Sequence, residues 1–415
     1  MNILLTEGAG LTSRQVATQL DARGHQVWAA TSDPWCLARF TRHVHHLLPV
    51  PAYGPDPLGW FDQMLVGAVA AGVEVVFPTQ EQVAALSHQL PRLTGAGIAT
   101  AVPSFAALRR VQDKCAARRT LEGSGVPQPW TVVVQDPAEV EGWDAFPAFV
   151  KAPVGTGSSG VRRVANGAEL RRAVAGYLAE GAGDDGGVLV QAEVVGTFVM
   201  AQCVFDGGRM VAFHVNQRVR EGANGSAAVK CSTAQTGLQA DLARLGSDLH
   251  WHGALSVDAI VADGQSHVID VNPRLVEPGN ALAAGTDLVG ALLAVALGTR
   301  VPVTPPSRPG VRTHQLLMAI LGAAQHGRRR QVVRTVVEGV RHRGDFLGSR
   351  EELQPSRGDW RCLVLPLVAT VATVLRPASC RGFTDGAVSR YALTAAGYRA
   401  LSRSAPLEQV SPTAS

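Results

Sequence analysis

Lysine is scarce in this chain: only Lys114, Lys151 and Lys230 occur among 38 basic residues, and all three lie in the middle third. A lysine carries a compact charge on a flexible stem that reaches phosphate oxygens where the planar arginine fork needs more room. In a chain that otherwise uses arginine, these three are candidates for anion contact. Lys114 follows Asp113 near the start of a helical pattern. Lys151 ends the apolar run Phe149-Val150-Lys151-Ala152-Pro153, and Gly155-Thr156-Gly157-Ser158-Ser159-Gly160-Val161 follows. A loop of glycines and small residues lets backbone N–H groups approach phosphate oxygens. No GxxxxGK[ST] is present, so this is not a Walker loop. Lys230 lies past a Gly/Ser turn, where contact with a substrate and an exposed strand lysine are both open readings.

The acidic counterpart lies farther on. Asp258 sits in the strand-like Ser256-Val257-Asp258-Ala259, and Asp270-Val271-Asn272-Pro273-Arg274 follows the turn Asp263-Gly264. Period-two geometry puts Asp270 and Asn272 on one side of a strand. If the two strands pair, three oxygen donors converge in the pattern Mg²⁺ uses to bridge nucleotide phosphates. Arg274 can reach the same side. Arg218 and Arg220, two residues apart, should also share one side of their strand, facing either a substrate carboxylate or a surface ion pair. His214 reads as a packed histidine, not a base. Glu277 is open between positioning an amine and capping the next helix. Cys115 reads as a buried structural thiol, since nothing near it would lower its pKa. Taken singly, such residues are often caps or solvated charges; it is the ordered set that points to a site.

The elements that must position them fall into three stretches. Residues 1–103 alternate strand and helix patterns: strands near 2–6, 26–30 and 73–78, helices near 13–23, 60–71 and 80–90. That is a parallel α/β unit. Gly8 and Gly10 hint at a dinucleotide loop, but Ser13 stands where GxGxxG requires its last glycine, and a tight turn explains both glycines. Residues 104–304 open with one long helical pattern over 106–123. Strand patterns follow near 130–134, 148–152, 188–191, 198–206, 210–219, 254–261 and 267–271. The turns Asp206-Gly207-Gly208 and Asp263-Gly264 signal antiparallel hairpins. Residues 305–415 begin with a proline-rich linker (Pro305, Pro306, Pro309), then a helix over 311–344, then the apolar run Cys362–Leu375.

A chain of 415 residues with 46% hydrophobic and 17% charged residues is a folded, multi-domain protein. Its six cysteines show no CxxC and no metal spacing, which suggests reduced thiols and a cytoplasmic location. MNILLTEGAG reads as a first strand and not a signal peptide. The net charge of +4 conceals an asymmetry: between Arg308 and Arg403 stand 16 arginines, no lysine and six carboxylates. A basic C-terminal third suggests an anionic partner. Peripheral contact with the inner face of a membrane is one reading of it. The other reading, a basic helix followed by a buried core segment, is slightly preferred, and Pro366 argues against one continuous helix. Fourteen apolar residues are too few to span a bilayer as a helix.

Four motifs occur in an order that resembles the ATP-grasp superfamily. They are Asp113-Lys114 with Gly125-Val126-Pro127-Gln128-Pro129, Val150-Lys151 with its Gly/Ser loop, Val190-Gln191-Ala192-Glu193-Val194-Val195-Gly196, and Asp258 with Asp270-Val271-Asn272-Pro273-Arg274. The resemblance covers about residues 1–300. Within the superfamily the segment Asn216–Glu221 with Asn224-Gly225-Ser226 is most similar to the predicted carboxylate–amine ligase branch. The resemblance implies an ATP-grasp fold of mixed α/β and α+β class. Its parts would be a Rossmann-like N-terminal domain (1–103), a small lid (about 130–195) within an antiparallel grasp domain (104–304), and here a basic helical extension (305–415). It also implies that Lys114, Lys151 and the loop Gly157, Ser158, Ser159 and Gly160 hold ATP phosphates, and that Gln191, Ala192, Glu193 and Val194 form the adenine hinge. Asp258, Asp270 and Asn272 would bind Mg²⁺ or Mn²⁺. Arg274 would stabilise an acyl phosphate, with Arg218 and Lys230 on the substrate side.

The implied reaction couples a small-molecule carboxylate to an amine, amino acids being candidates for both; no nucleic-acid partner is expected, and oligomerisation is open. Two positions depart from the family pattern. Asp270 stands where a glutamate is usual, and Gly196-Thr197-Phe198-Val199 lacks the acidic residue that holds ribose, a task left to Glu193 or another strand. Two other readings compete, a bicarbonate-activating carboxylase and a nucleotide-binding scaffold without catalysis. The carboxylase reading lacks recognisable partner domains, and the complete set of lysines and metal residues argues against the scaffold.

Overall fold

The computed structural model describes residues 1–155, 160–301, 305–327, 329–353 and 358–404. Gly157, Ser158 and Ser159 of the small-residue loop lie outside the described residues.

The chain opens with strand β1 (Asn2–Leu5), helix α1 (Leu11–Asp21), β2 (Gln26–Thr31), β3 (His46–Pro49), α2 (Pro57–Ala70), β4 (Val75–Phe77), α3 (Val83–His88) and α4 (Leu90–Gly95). The four strands form a parallel sheet in the order β3-β2-β1-β4. β1 and β4 are buried apolar runs, as expected where helices cover both faces of a parallel sheet.

The pattern expected as one helix over 106–123 is two, α5 (Phe105–Gln112) and α6 (Lys114–Gly123). Asp113 leaves helical geometry, and its carboxylate accepts the Ala116 N–H at 2.8 Å as the N-cap of α6. The break places Lys114 in the first turn of α6. Next come β5 (Thr131–Val134), β6 (Ala148–Lys151), β7 (Val161–Val164), α7 (Gly167–Tyr177) and β8 (Val188–Ala192), with an antiparallel sheet ordered β5-β8-β6-β7.

The largest sheet contains β9 (Thr197–Asp206), β10 (Arg209–Glu221), β11 (Ala227–Ser232), β12 (Gly253–Ala262) and β13 (Gln265–Asn272), with α8 (Thr236–Asp248), α9 (Gly279–Ala284) and α10 (Leu288–Ala296) around it. Both expected hairpin turns are present. Gly207 and Gly208 each have positive φ between β9 and β10, and so do Asp263 and Gly264 between β12 and β13. One face of this sheet is apolar, with Val199, Ala201, Cys203, Phe205, Val215, Leu255 and Val257 packed against Leu238, Leu242 and Leu245 of α8. The opposite face is apolar at one end, where Val204, Ala212 and Ala254 pack with Leu288 and Leu292 of α10, and polar along the rest, with Gln202, His214, Asn216 and Ser256.

The chain beyond residue 304 does not stand apart as an extension. The helix expected over 311–344 is a strand and two helices: β14 (Arg312–His314), α11 (Leu316–Gln325) and α12 (Arg329–Val340). β14 pairs with β11, and β15 (Arg350–Glu351) pairs with β14, extending the large sheet to β13-β12-β9-β10-β11-β14-β15. Then follow α13 (Val364–Leu375), α14 (Cys380–Tyr391) and α15 (Ala395–Arg403). Pro366 sits in the first turn of α13, where its missing N–H breaks no helical bond, so the helix continues through it. α13 is not the expected core segment, since only Ala369 and Thr373 of it are buried. α15 returns to the parallel sheet, where Leu393, Tyr398 and Leu401 pack with Trp60, Phe61 and Met64.

Candidate functional site

The polar face of the large sheet is built by register. Asp258 pairs across strands with Asp270 and Ser256 with Asn272; on the other side Asp258 pairs with Met200, Met200 with Asn216, and Arg218 with Lys230. Side chains of paired positions share a face, so the expected oxygen donors do come together. Burial first, then the facing Asp270, pushes the Asp258 carboxyl up to about 7, against the pull of Arg274, Lys151 and Arg218. Two carboxylates in one enclosure repel each other, and a divalent cation would relieve that repulsion. The described residues hold no cluster of three His, Cys, Asp or Glu suited to a metal ion. The set here is two carboxylates and the amide of Asn272, which fits an ion completing its shell with phosphate oxygens and water, as Mg²⁺ does.

The two lysines border this enclosure. Lys114 Nζ donates to the Gly155 carbonyl at 3.2 Å and lies 3.9 Å from Asp270 Oδ1. Lys151, at the end of β6, donates to Gln191 Oε1 at 2.8 Å and to the Ile269 carbonyl of β13 at 2.7 Å, so it ties the small sheet to the large one. Burial pushes its ammonium down to about 8, with Asp270 pulling it up and Lys114 pushing it further down. Gly160 has φ +77, and its carbonyl accepts the Ala152 N–H, closing the base of the loop beside Lys151.

The segment expected as the adenine hinge, Gln191 to Val194, leads out of the end of β8. The Gln191 side chain is spent on Lys151 and on Thr131 Oγ1. The Ala192 N–H bonds the Trp130 carbonyl and the Glu193 N–H bonds the Pro147 carbonyl, while the Val194 amide has no hydrogen-bond partner among the described residues. The Glu193 carboxylate, a candidate for ribose, accepts from Nε and Nη2 of Arg163, each at 2.8 Å. Arg163 is the first cause of its lowered pKa.

Arg274 does not point freely into the site. Its guanidinium lies 3.2 Å from Glu81 Oε1, and Glu81 is held by Gln112 at 2.9 Å. Arg274 therefore sits where the polar face meets the parallel domain. There the Gly8–Gly10 turn is closed by its own neighbour: Glu7 Oε2 accepts the amides of Ala9 and Gly10 at 2.6 and 2.7 Å. The N–H groups a dinucleotide phosphate would need are occupied, so the turn is structural.

Lys230 is not an exposed strand lysine. It is fully buried, bonded to Glu277 and 3.2 Å from Glu352. Burial alone would lower its pKa, but Glu277 and then Glu352 hold it above the ordinary value. Gln315 Nε2 donates to both carboxylates at 2.6 and 2.7 Å, and Gln15 Nε2 donates to Glu352 at 2.9 Å. Glu277 therefore caps no helix.

Arg218 remains on the site face, donating to the Gly225 carbonyl at 2.7 Å and covering the Phe198 ring. A β-bulge between Arg218 and Arg220 breaks the period-two expectation that both share a side. Arg220 turns to Glu338 at 3.2 Å and Thr335 at 2.7 Å, outside the site.

His214 and Cys115 are structural, as expected. Burial pushes His214 down to about 4 between Ser307 and Asn280, and pushes the Cys115 thiol up to about 12. Asn216 is buried on the polar face, and its Oδ1 has no hydrogen-bond partner among the described residues. Sequence reasoning missed Glu352, Gln315 and Glu81, because each reaches the site from a distant part of the chain with no local motif around it.

Residues 111–278 match the ATP-grasp domain family. The chain contains an ATP-grasp domain. No curated protein matches it in sequence. Solved structures share the fold. The biotin carboxylase domain of Hydrogenobacter thermophilus 2-oxoglutarate carboxylase, a complex with MgADP and bicarbonate, matches with TM-score 0.60 at 17% identity over 75% of this chain and 73% of that one. Campylobacter jejuni biotin carboxylase matches with TM-score 0.60 at 18% identity, over 75% and 74%. N5-carboxyaminoimidazole ribonucleotide synthetase from Thermus thermophilus matches with TM-score 0.57 at 20% identity, over 75% and 81%. The ATP-grasp domain of this chain thus holds all the described candidate residues, while Glu81, Gln315 and Glu352 reach it from outside the matched segment.

Proposed function

We propose that the protein is an ATP-dependent ligase that activates a carboxylate as an acyl phosphate and couples it to an amine. The observation that carries this reading is the Asp258–Asp270–Asn272 set on the polar face, bordered by Lys114 and Lys151. Lys114 and Lys151 would neutralise the ATP phosphates, and the Val194 amide would meet the adenine edge. Asp258, Asp270 and Asn272 would hold Mg²⁺, or Mn²⁺ in its place, which supplies charge compensation for phosphoryl transfer.

A substrate carboxylate oxygen attacks the γ-phosphorus, and the bond from that phosphorus to the β,γ-bridging oxygen breaks with release of ADP. The amine nitrogen then attacks the acyl carbon. The carbon–oxygen bond to phosphate breaks, phosphate leaves, and the nitrogen loses a proton. Arg218, and Arg274 beside its partner Glu81, would offset charge on the acyl phosphate. The buried Lys230–Glu277–Glu352 network would shape the substrate end.

Because biotin carboxylases are among the solved structures sharing this fold, bicarbonate as the activated carboxylate is a second reading. ADP release with MgATP and pooled amino acids, with and without bicarbonate, separates the two. The ligase reading expects release that depends on a carboxylate–amine pair and falls at least about a hundredfold in Asp258→Asn. Release that depends on bicarbonate alone would favour the second reading. A protein that binds MgATP and releases no ADP with any pair would be the non-catalytic scaffold.

A further inference from the structure

We infer that the α12–α13 face is a docking surface for an anionic lipid bilayer. No helix among the described residues is long and apolar enough to cross a membrane, so the contact is one of lying on the surface. α12 and α13 pack side by side on the largely buried α11. The large apolar side chains of α13 face solvent: Leu367 is 65% exposed and Leu375 68%, with Val368 and Val371 about half exposed between them. α12 adds Val333, Val337 and Val340, spaced i, i+4, i+7 along one stripe. Trp360, in the turn that opens α13, is 69% exposed. The turn at Leu37–Phe40, just after the exposed Trp35, packs against that same turn and against α13. The exposed Trp360 thus marks one end of an aliphatic surface, with the exposed Trp35 two residues before the neighbouring turn, an arrangement suited to the headgroup boundary of a bilayer.

Charge selects the occupant. Arg361 and Arg376 bound α13, Arg329 and Arg330 open α12, and Arg341 and Arg343 follow it; all six are exposed. None of them has an ion pair among the described residues, whereas Glu338 and Asp345 nearby are already paired with Arg220. Unpaired arginines around exposed Leu and Val call for an anionic, apolar partner. A second copy meeting this face symmetrically would set the same arginines against each other. Anionic headgroups above acyl chains satisfy both features at once.

Flotation of the full chain with phosphatidylcholine vesicles, with and without phosphatidylglycerol, tests this. Binding is expected only to the anionic vesicles and is expected to weaken with salt. It should fall about fivefold for each of Arg361→Ser and Arg376→Ser. Leu367→Ser combined with Val371→Ser should abolish it while leaving the thermal midpoint and MgATP binding unchanged. No binding to anionic vesicles, or equal binding to neutral ones, overturns the proposal. So does a lipid-free dimer that the Leu367/Val371 double variant dissolves, since that would make the face a contact between copies.

Discussion

Lys151 carries a testable pH signature. Its ammonium is pushed down to about 8 in the free protein, chiefly by burial. Phosphate oxygens favour the charged form, so the nucleotide complex keeps the proton to higher pH. ATP affinity should therefore fall towards tenfold per pH unit above about pH 8. Calorimetric titration of wild type should show this slope, and Lys151→Met should bind weakly with the slope gone. Lys230 predicts a stability effect instead. Lys230→Met leaves Glu277 and Glu352 buried without their cation, a loss of about 3–5 kcal/mol in urea unfolding. Glu352→Gln, which leaves one carboxylate for the lysine, should cost clearly less. Asp258, Asp270 and Asn272 were legible in the sequence because strand parity and the Asp263-Gly264 turn bring them to one face, and Lys114 and Lys151 because their motifs stand in order with that set. Glu352 was not, because its partner Lys230 is 122 residues away, and nothing in Arg350–Leu353 announces a site.

At the level of elements, the break at Asp113 matters more than the length of the helix it interrupts. An aspartate inside an apolar-periodic run reads as one more helical residue, yet its carboxylate caps α6 and fixes Lys114 in the first turn. Asp113→Ala should cost about 1 kcal/mol, seen as a lower denaturation midpoint, together with weaker ATP binding than the stability loss alone explains. Asp113→Asn, which can still cap, should recover most of both. The bulge at Arg218–Arg220 escaped the sequence for a related reason. Period-two reasoning assumes an unbroken ladder, and the interruption is set by the helix that Arg220 reaches, through Glu338 of α12. The hairpins at Gly207-Gly208 and Asp263-Gly264 were legible, since positive φ at both turn positions is what those residues allow.

On the scale of the whole molecule, the last hundred residues close the structure. β14 and β15 extend the main sheet, α15 packs on the parallel domain, and Asp359 joins the two ends of the chain. Its carboxylate meets Arg14 of α1 at 2.9 Å, the Thr41 hydroxyl at 2.7 Å and the Arg42 amide at 3.1 Å, and it is fully buried. Composition separated this third as basic and linked by prolines, which was true of its surface and silent about its pairing. Arg14→Met should destabilise by about 3–5 kcal/mol because it strands Asp359. Adding Asp359→Asn should recover part of that loss, a coupling of at least about 1 kcal/mol in a double-mutant cycle. We propose that the assembled molecule makes an acyl phosphate at the Asp258–Asp270 face, and trapping that intermediate is the decisive experiment. With MgATP, pooled carboxylates and hydroxylamine in place of an amine, hydroxamate should form one-for-one with ADP and be lost in Asp258→Asn. ADP release with no hydroxamate, or hydroxamate formed equally well by Asp258→Asn, would contradict it.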